Sequence, residues 1–365
     1  MEPARTNLPQ IDGLRCYAVI AVLVHHFWRG GLIGHLGVRI FFIISGFLIT
    51  GLLLDARRHL AKNGLFHTLK TFYARRALRI FPPYYAVLAV ATLLSLGDVR
   101  ETVHWHALYL SNMLFTLRGE WGWPTAHLWS LSVEEQFYMI WPFVILLVPQ
   151  RALNSLLVMT IVASVAFRAL YFGWASGDDV GIWVATPAAF DALALGGLLA
   201  RWYRGGQSFP SSKTLTWLFV PAVILAYSTS YLSPENFYVW GELVWLLPLS
   251  MLVAGATVGF SGIFRHLLGN TLALWIGRMS YGIYLYHLFV WAVLGTVLTR
   301  LDIDWAFAEG PRTFLIMSLA TILTAAASWY LFEAPLGRLK RRFPTGVHAG
   351  EDESGKAAFP RRPSS

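Results

Sequence analysis

The stretch DGLRCYAVIAVLVHHFW, residues 12–28, is apolar enough for a lipid bilayer, yet it carries Arg15 near one end and the pair His25 and His26 near the other. Arg15 and His26 are eleven residues apart. On an α-helix that spacing is within about 20° of three full turns, so both fall on one face about 16 Å apart, with His25 about 80° away. An imidazole titrates near neutrality, so it can exchange protons with a bound partner. Arg15 can instead snorkel to a membrane surface and pair there with Asp12, and His25 can sit at the opposite interface. For those two residues both readings stand; for His26, on the Arg15 face, a chemical role is favoured.

Further stretches mix ionisable and aromatic side chains. In FYARRALRIFPPYY, 72–85, Arg75, Arg76 and Arg79 share one strip of a helix ahead of a Pro-Pro break. Such a cluster can set topology or bind lipid headgroups, and three guanidiniums also suit a phosphate-bearing ligand arriving from the cytoplasm. HLWSLSVEEQFYMIW, 127–141, gathers His127, Trp129, Ser130, Glu134, Glu135 and Tyr138 at the outer start of a span. The glutamates can be first-turn capping, with Ser130 or Ser132 as cap, or can bind sugar hydroxyls and take their protons. In IGRMSYGIYLYHLFVW, 276–291, Ser280, Tyr284 and His287 fall at i, i+4 and i+7, a polar stripe that should face the bundle interior as helix glue or as a site. In GHLGVRIFFIISGFLIT, 34–50, Ser45 and Gly46 interrupt bulky residues, which lets helices approach closely or loosens a turn beside a pathway.

The elements that must position these residues follow from composition. The chain has 365 residues, 56% hydrophobic and 13% charged, about half the charged fraction of an ordinary soluble domain. Its apolar runs are continuous rather than alternating, so an all-α, polytopic bundle is expected, with about ten transmembrane helices and not a barrel. The expected spans are near 12–28, 37–54, 79–97, 134–149, 152–173, 182–202, 214–231, 240–260, 272–298 and 312–332. Arg57, Arg58, Lys62, Lys70, Arg201, Arg204, Lys213 and Arg265 collect on one set of connections, which puts both termini in the cytoplasm. The other connections include SGDD at 176–179 and SPEN at 233–236. The basic segment 55–78 and the Trp- and His-rich segment 98–133 are expected as long loops. Residues 1–342 then form the membrane domain and 343–365 a disordered cytoplasmic tail. No cleavable signal is expected, so the first helix stays. The single Cys16 reads as a packing residue and no metal site is expected. The net charge of +9 is accounted for by orientation in the bilayer, not by nucleic acid.

In order along the chain, DGLR with Arg-x10-His, GVxxFFxxSGFLI, FYxRRxxRIxPxYY, HxWSLxVEEQFY and GxxSYxxYLxH resemble the membrane-bound acyltransferase 3 family, which contains O-antigen and Nod-factor O-acetyltransferases. The match runs from about residue 9 to FEAP at 332–335. The resemblance implies transfer of an acyl group, commonly acetyl, from cytoplasmic acyl-CoA to a hydroxyl on a carbohydrate or related envelope acceptor, in a bacterial inner membrane. It carries the Arg-x10-His pair onto Arg15 and His26, the arginine cluster onto Arg75, Arg76 and Arg79, and SGF onto Ser45, Gly46 and Phe47. The later motif falls on His127, Trp129, Ser130, Glu134 and Glu135. One departure is Arg39, where many members have an acidic residue, which leaves its charge partner open. Some members carry a fused periplasmic hydrolase-like domain; this chain is expected to rely on another protein for any second step.

On this reading His26 is the base for direct attack, with an acyl-histidine route as the alternative. Arg75, Arg76, Arg79 and Ser45 hold the donor, Arg15 lines its passage, and Glu134 or Glu135 orients the acceptor from outside beside His127, Trp129, Ser130, Tyr284 and His287. Two other classes compete. A transporter or flippase also has many helices and a basic entry, but it often shows duplicated halves, which are not evident here. A scaffold or sensor explains the spans but not the ordered Arg, His and Glu positions.

Overall fold

The computed structural model describes residues 8–174, 179–302 and 308–344, and every regular element among them is helical. The expected segment at 176–178, the middle of the 300–312 connection and the tail from residue 345 lie outside the described residues. The principal helices are α1 (Pro9–Phe27), α2 (Leu32–Arg58), α3 (Leu65–Leu93), α4 (Val99–Ala107), α5 (Ser111–Arg118), α6 (Leu128–Leu147), α7 (Gln150–Trp174), α8 (Thr186–Arg204), α9 (Ser212–Ser228), α10 (Glu242–Val258), α11 (Gly262–Gly269), α12 (Thr271–Arg278), α13 (Ser280–Thr299) and α14 (Pro311–Ser328).

Among the described residues, seven helical segments are long and apolar enough to cross a membrane by themselves, namely Leu32–Arg58, Gln150–Gly173, Val180–Arg204, Ser212–Tyr231, Pro234–Val258, Ser280–Thr299 and Pro311–Arg342. The three other expected spans lie in α1, α3 and α6, which are helices as well and carry Arg15, the Arg76 and Arg79 pair, and the two glutamates. The apolar window of α2 is 72% buried against 17% for α7, so α2 is central and α7 turns most of its side chains outward. That outward apolar surface, with Leu170, Trp217 and Leu331 among it, is what a bilayer would cover.

Small residues let the central helices touch. A Cβ on Gly46 would lie 2.0 Å from the Leu193 carbonyl oxygen, and one on Gly196 would lie 2.1 Å from that of Ile43, so α2 and α8 meet backbone to backbone. Gly37 likewise brings α2 against Ala18 of α1, with a Cβ 2.6 Å from its carbonyl oxygen. Close approach is therefore what Gly46 does.

Three expectations about boundaries are corrected. The basic segment 55–78 is not a long loop: α3 starts at Leu65 and continues through Pro82 and Pro83 without a break. Tyr281 donates to the Ile80 carbonyl at 3.0 Å just ahead of the prolines and ties α13 to α3 there. The segment 98–133 holds α4, α5 and the start of α6. In it His106 is buried between Thr102, at 3.1 Å, and Ser111, at 2.8 Å. Burial pulls its imidazole down to about 4.

The basic ends of several helices gather at one end of the bundle. Arg57 donates to the carbonyls of Ile145 and Val148, both at 2.6 Å, Arg58 to that of Arg204 at 3.2 Å, and Arg201 to that of Gln150 at 3.1 Å. Arg204 pairs with Asp55 at 2.9 Å.

Candidate functional site

Helices α1, α2, α6 and α13 enclose two cavities. The outer one is about 630 Å³ and is lined by His25, His26, His35, His127, Trp121, Trp129, Trp183 and Tyr284 among others. The inner one is about 100 Å³ and is lined by Arg15, Arg76, Arg79, Ser45, Glu134, Glu135, Tyr138 and Ser280, with Tyr281 and Tyr284. Val38 and Tyr284 line both. Arg15 lines the inner cavity and His26 the outer one.

Three imidazoles meet in sequence at the outer cavity, where His26 and His127 line the space and His287, between them, does not. The ring of His287 lies 4.9 Å from that of His26 and 4.7 Å from that of His127, centroid to centroid. His287 donates from Nδ1 to the Tyr284 carbonyl at 2.6 Å, which leaves Nε2 as a buried lone pair with no hydrogen-bond partner. His127 donates from Nε2 to the Leu285 carbonyl at 2.9 Å. His26 is held by ring packing alone, with no hydrogen bond to a described residue. His25 donates from Nδ1 to the Gly31 carbonyl at 2.9 Å, closing the turn between α1 and α2. Among the described residues no group of three His, Cys, Asp or Glu could hold a metal ion.

The inner cavity is built around guanidiniums. Arg15 pairs with Asp12 at 3.7 Å, and the guanidinium carbon of Arg76 stacks 3.4 Å from the centre of the Tyr138 ring. Ser45 donates to Glu134 Oε1 at 2.5 Å and accepts from the Tyr138 hydroxyl at 3.0 Å. The Ser280 hydroxyl and Arg76 Nε are buried and have no hydrogen-bond partner. Unsatisfied donors in a cationic cavity suit a ligand with phosphates and amide carbonyls. Arg75 is turned away: it donates to the carbonyls of Lys340 and Phe343 at 3.2 and 2.9 Å and does not line the cavity.

Glu134 and Glu135 lie with the arginines and not with His127, which corrects the expectation that they face the acceptor from outside. The span starts at Leu128, not at residue 134, so Glu134 is about 10 Å deeper along α6 than His127. Neither serine caps the helix: Ser130 donates to the His127 carbonyl at 3.2 Å and Ser132 to that of Leu128 at 3.0 Å. Trp129 lines the outer cavity and Ser130 the inner one. Between them the hydroxyls of Ser130 and Tyr284 meet at 2.6 Å, so this pair stands on the wall that parts the two spaces.

Sequence reasoning passed over His35, Trp183 and the partners of Arg39. Arg39 contacts Asp191 at 2.7 Å and Glu242 at 3.3 Å, and His35 contacts Glu242 at 2.7 Å. The spacing of His35 and Arg39, i and i+4 on one helix, was a readable signal. Their acidic partners lie on α8 and α10, too far along the chain for spacing to reveal.

A family model described as an acyltransferase domain matches residues 8–333. The chain is 31% identical over 348 residues to the peptidoglycan O-acetyltransferase OatA of Listeria monocytogenes, covering 87% of this chain and 55% of that protein. It is 27% identical over 362 residues to the putative peptidoglycan O-acetyltransferase YrhL of Bacillus subtilis, covering 90% and 55%. With the O-acetyltransferase OatA of Staphylococcus aureus the identity is 26% over 360 residues, covering 90% and 57%. The chain therefore spans a little over half the length of the curated relatives it matches. No solved structure matches it significantly.

Proposed function

Because the chain belongs to the acyltransferase domain family, we propose that it is a membrane O-acyltransferase. On this reading it moves acetyl from cytoplasmic acetyl-CoA to a hydroxyl of a cell-envelope glycan of the peptidoglycan type, in a bacterial plasma membrane. The observation that carries the reading is the pair of cavities, one cationic and one rich in histidine and tryptophan, at opposite ends of the Arg15–His26 face of α1.

The division of labour follows from the chemistry of each cavity. Arg15, Arg76 and Arg79 take the phosphate end of the donor, and Glu134, Ser45 and Tyr138 keep the guanidiniums in place. Arg75 acts at a distance, by anchoring the segment that follows α14. The rise of about 16 Å from Arg15 to His26 is comparable to an extended pantetheine arm, so a thioester can reach the outer cavity while its phosphates stay below. The aromatic walls, with Trp129 and His127, suit a sugar ring.

In direct transfer His26 takes the acceptor's hydroxyl proton as oxygen bonds to the thioester carbon. The C–S bond then breaks, and the departing thiolate receives the proton from His26. The ring of His287, 4.9 Å from that of His26 centroid to centroid, packs against the base and limits its rotation. Tyr284 and Ser130, on the wall between the cavities, close around the donor arm and keep water from the thioester.

The test is incubation of the purified protein in lipid with radiolabelled acetyl-CoA and solubilised peptidoglycan. Label should appear on the glycan as a base-labile ester. Passage of glycan or donor across the membrane without ester formation would favour a transporter instead.

A further inference from the structure

The outer cavity has a charged neighbourhood that the reaction above does not use. His35, at the outer end of α2, lines the cavity, and its Nε2 contacts Glu242 Oε1 of α10 at 2.7 Å. Behind it Arg39 contacts Glu242 Oε2 at 3.3 Å and Asp191 Oδ1 of α8 at 2.7 Å. Arg168 of α7 completes the chain, donating to Asp191 Oδ2 at 2.7 Å and to the Ala188 carbonyl at 2.6 Å. Two arginines and two carboxylates from four helices thus balance one another, and all four residues are buried. The charges of those four residues cancel, and His35 at the edge of the group stays open to the cavity, with 12% of its side chain exposed.

Burying such a network costs desolvation that Coulomb attraction at best repays, so stability alone does not explain it. What it does is hold Glu242, and through Glu242 one imidazole, in a fixed orientation. The tautomer with its proton on Nε2, toward Glu242, leaves Nδ1 as a lone pair for which no described residue supplies a donor. Trp183 stands edge-on to His35 with ring centres 4.2 Å apart and lines the same cavity. A fixed hydrogen-bond acceptor beside an indole matches a sugar, which offers hydroxyl donors and an apolar ring face.

We propose that His35, held by Glu242, binds the acceptor: its Nδ1 accepts a hydrogen bond from a carbohydrate hydroxyl other than the one that reacts, with Trp183 against the ring. The inference rests on the acyl-transfer reading of the outer cavity. It divides the histidines between two tasks. His26 moves the proton, and His35 positions the sugar so that one hydroxyl faces His26. Glu242 is a positioning residue that acts through His35.

The test uses the full chain in lipid nanodiscs, with acetyl-CoA and the disaccharide released from peptidoglycan by muramidase as probe. His35→Phe should weaken calorimetric binding of the disaccharide about tenfold and raise its KM by the same factor, the size expected for one lost hydrogen bond, without moving the KM for acetyl-CoA. His35→Gln, which keeps an N–H for Glu242 and an oxygen for the cavity, should recover part of the loss. Glu242→Gln should raise the disaccharide KM in the native background and add nothing in the His35→Phe background; additive effects would mean that Glu242 does not act through His35. Native disaccharide affinity in His35→Phe, or a raised KM for acetyl-CoA in its place, would overturn the assignment. Disaccharide bound by the native protein but never acylated, with His35→Phe still weakening that binding, would overturn the acyl-transfer reading and leave His35 as a sugar-binding residue.

Discussion

At the end of α1, His25 gives its Nδ1 proton to the Gly31 carbonyl while His26 rests against His287. The two substitutions should therefore part in kind. His26→Ala should lower kcat by about 10²- to 10⁴-fold, the usual contribution of a general base, with acetyl-CoA binding retained. His25→Asn, which can still donate to Gly31, should keep most of the turnover; equal losses in the two variants would contradict the assignment of the base. Tyr284→Phe removes the 2.6 Å contact with Ser130 and should raise acceptor-independent hydrolysis of acetyl-CoA relative to transfer. Coupling as tight as native in that variant would show that the hydroxyl pair does not close the passage. At this scale much was legible in the sequence, because α1 is a regular helix and helical spacing alone sorts Arg15, His25 and His26. The ring contacts among His26, His127 and His287 were not, since they join residues more than a hundred positions apart.

Helices α2 and α8 touch through Gly46 and Gly196, where a Cβ has no room beside the opposing backbone. Gly46→Ala should lower the thermal unfolding temperature, costing about 3 kcal/mol as overpacking does. Gly173→Ala, where nothing lies within 4 Å of the added carbon, is the control and should not destabilise. Unchanged unfolding in Gly46→Ala would mean that the helices are farther apart than described. The segment between α3 and α6 carries a pH dependence of its own. Burial holds the His106 imidazole at about 4 against an ordinary 6.5, so the unfolded segment binds more protons over that window. Stability should be complete above about pH 6.5 and should fall as pH drops toward 4. Limited proteolysis of this segment across that range should show the loss, and His106→Gln should abolish the pH-dependent part of it. Element boundaries were the weaker part of the sequence reading. A proline pair usually ends a helix and a glutamate pair often begins one, but neighbouring helices override both rules at Pro82 and at Glu134.

Taken whole, the bundle sets a cationic cavity and a histidine-rich one on the same face of one helix, parted by Val38, Tyr284 and Ser130. The basic ends of α2 and α8 gather at one end of the molecule, as the distribution of lysine and arginine in the sequence had led us to expect. A sequence carries that asymmetry openly. It does not carry the pairing of Arg39 with Asp191 and Glu242, which exists only once four helices meet. The central claim is that donor and acceptor enter from opposite sides and meet at His26. Proteoliposomes with the protein in one orientation, given radiolabelled acetyl-CoA outside and peptidoglycan disaccharide either inside or outside, test it directly. When acetyl-CoA is supplied on the side of the basic helix ends, ester label should form only on disaccharide held on the opposite side and should vanish in His26→Ala. Label on disaccharide that shares a compartment with acetyl-CoA would contradict the account.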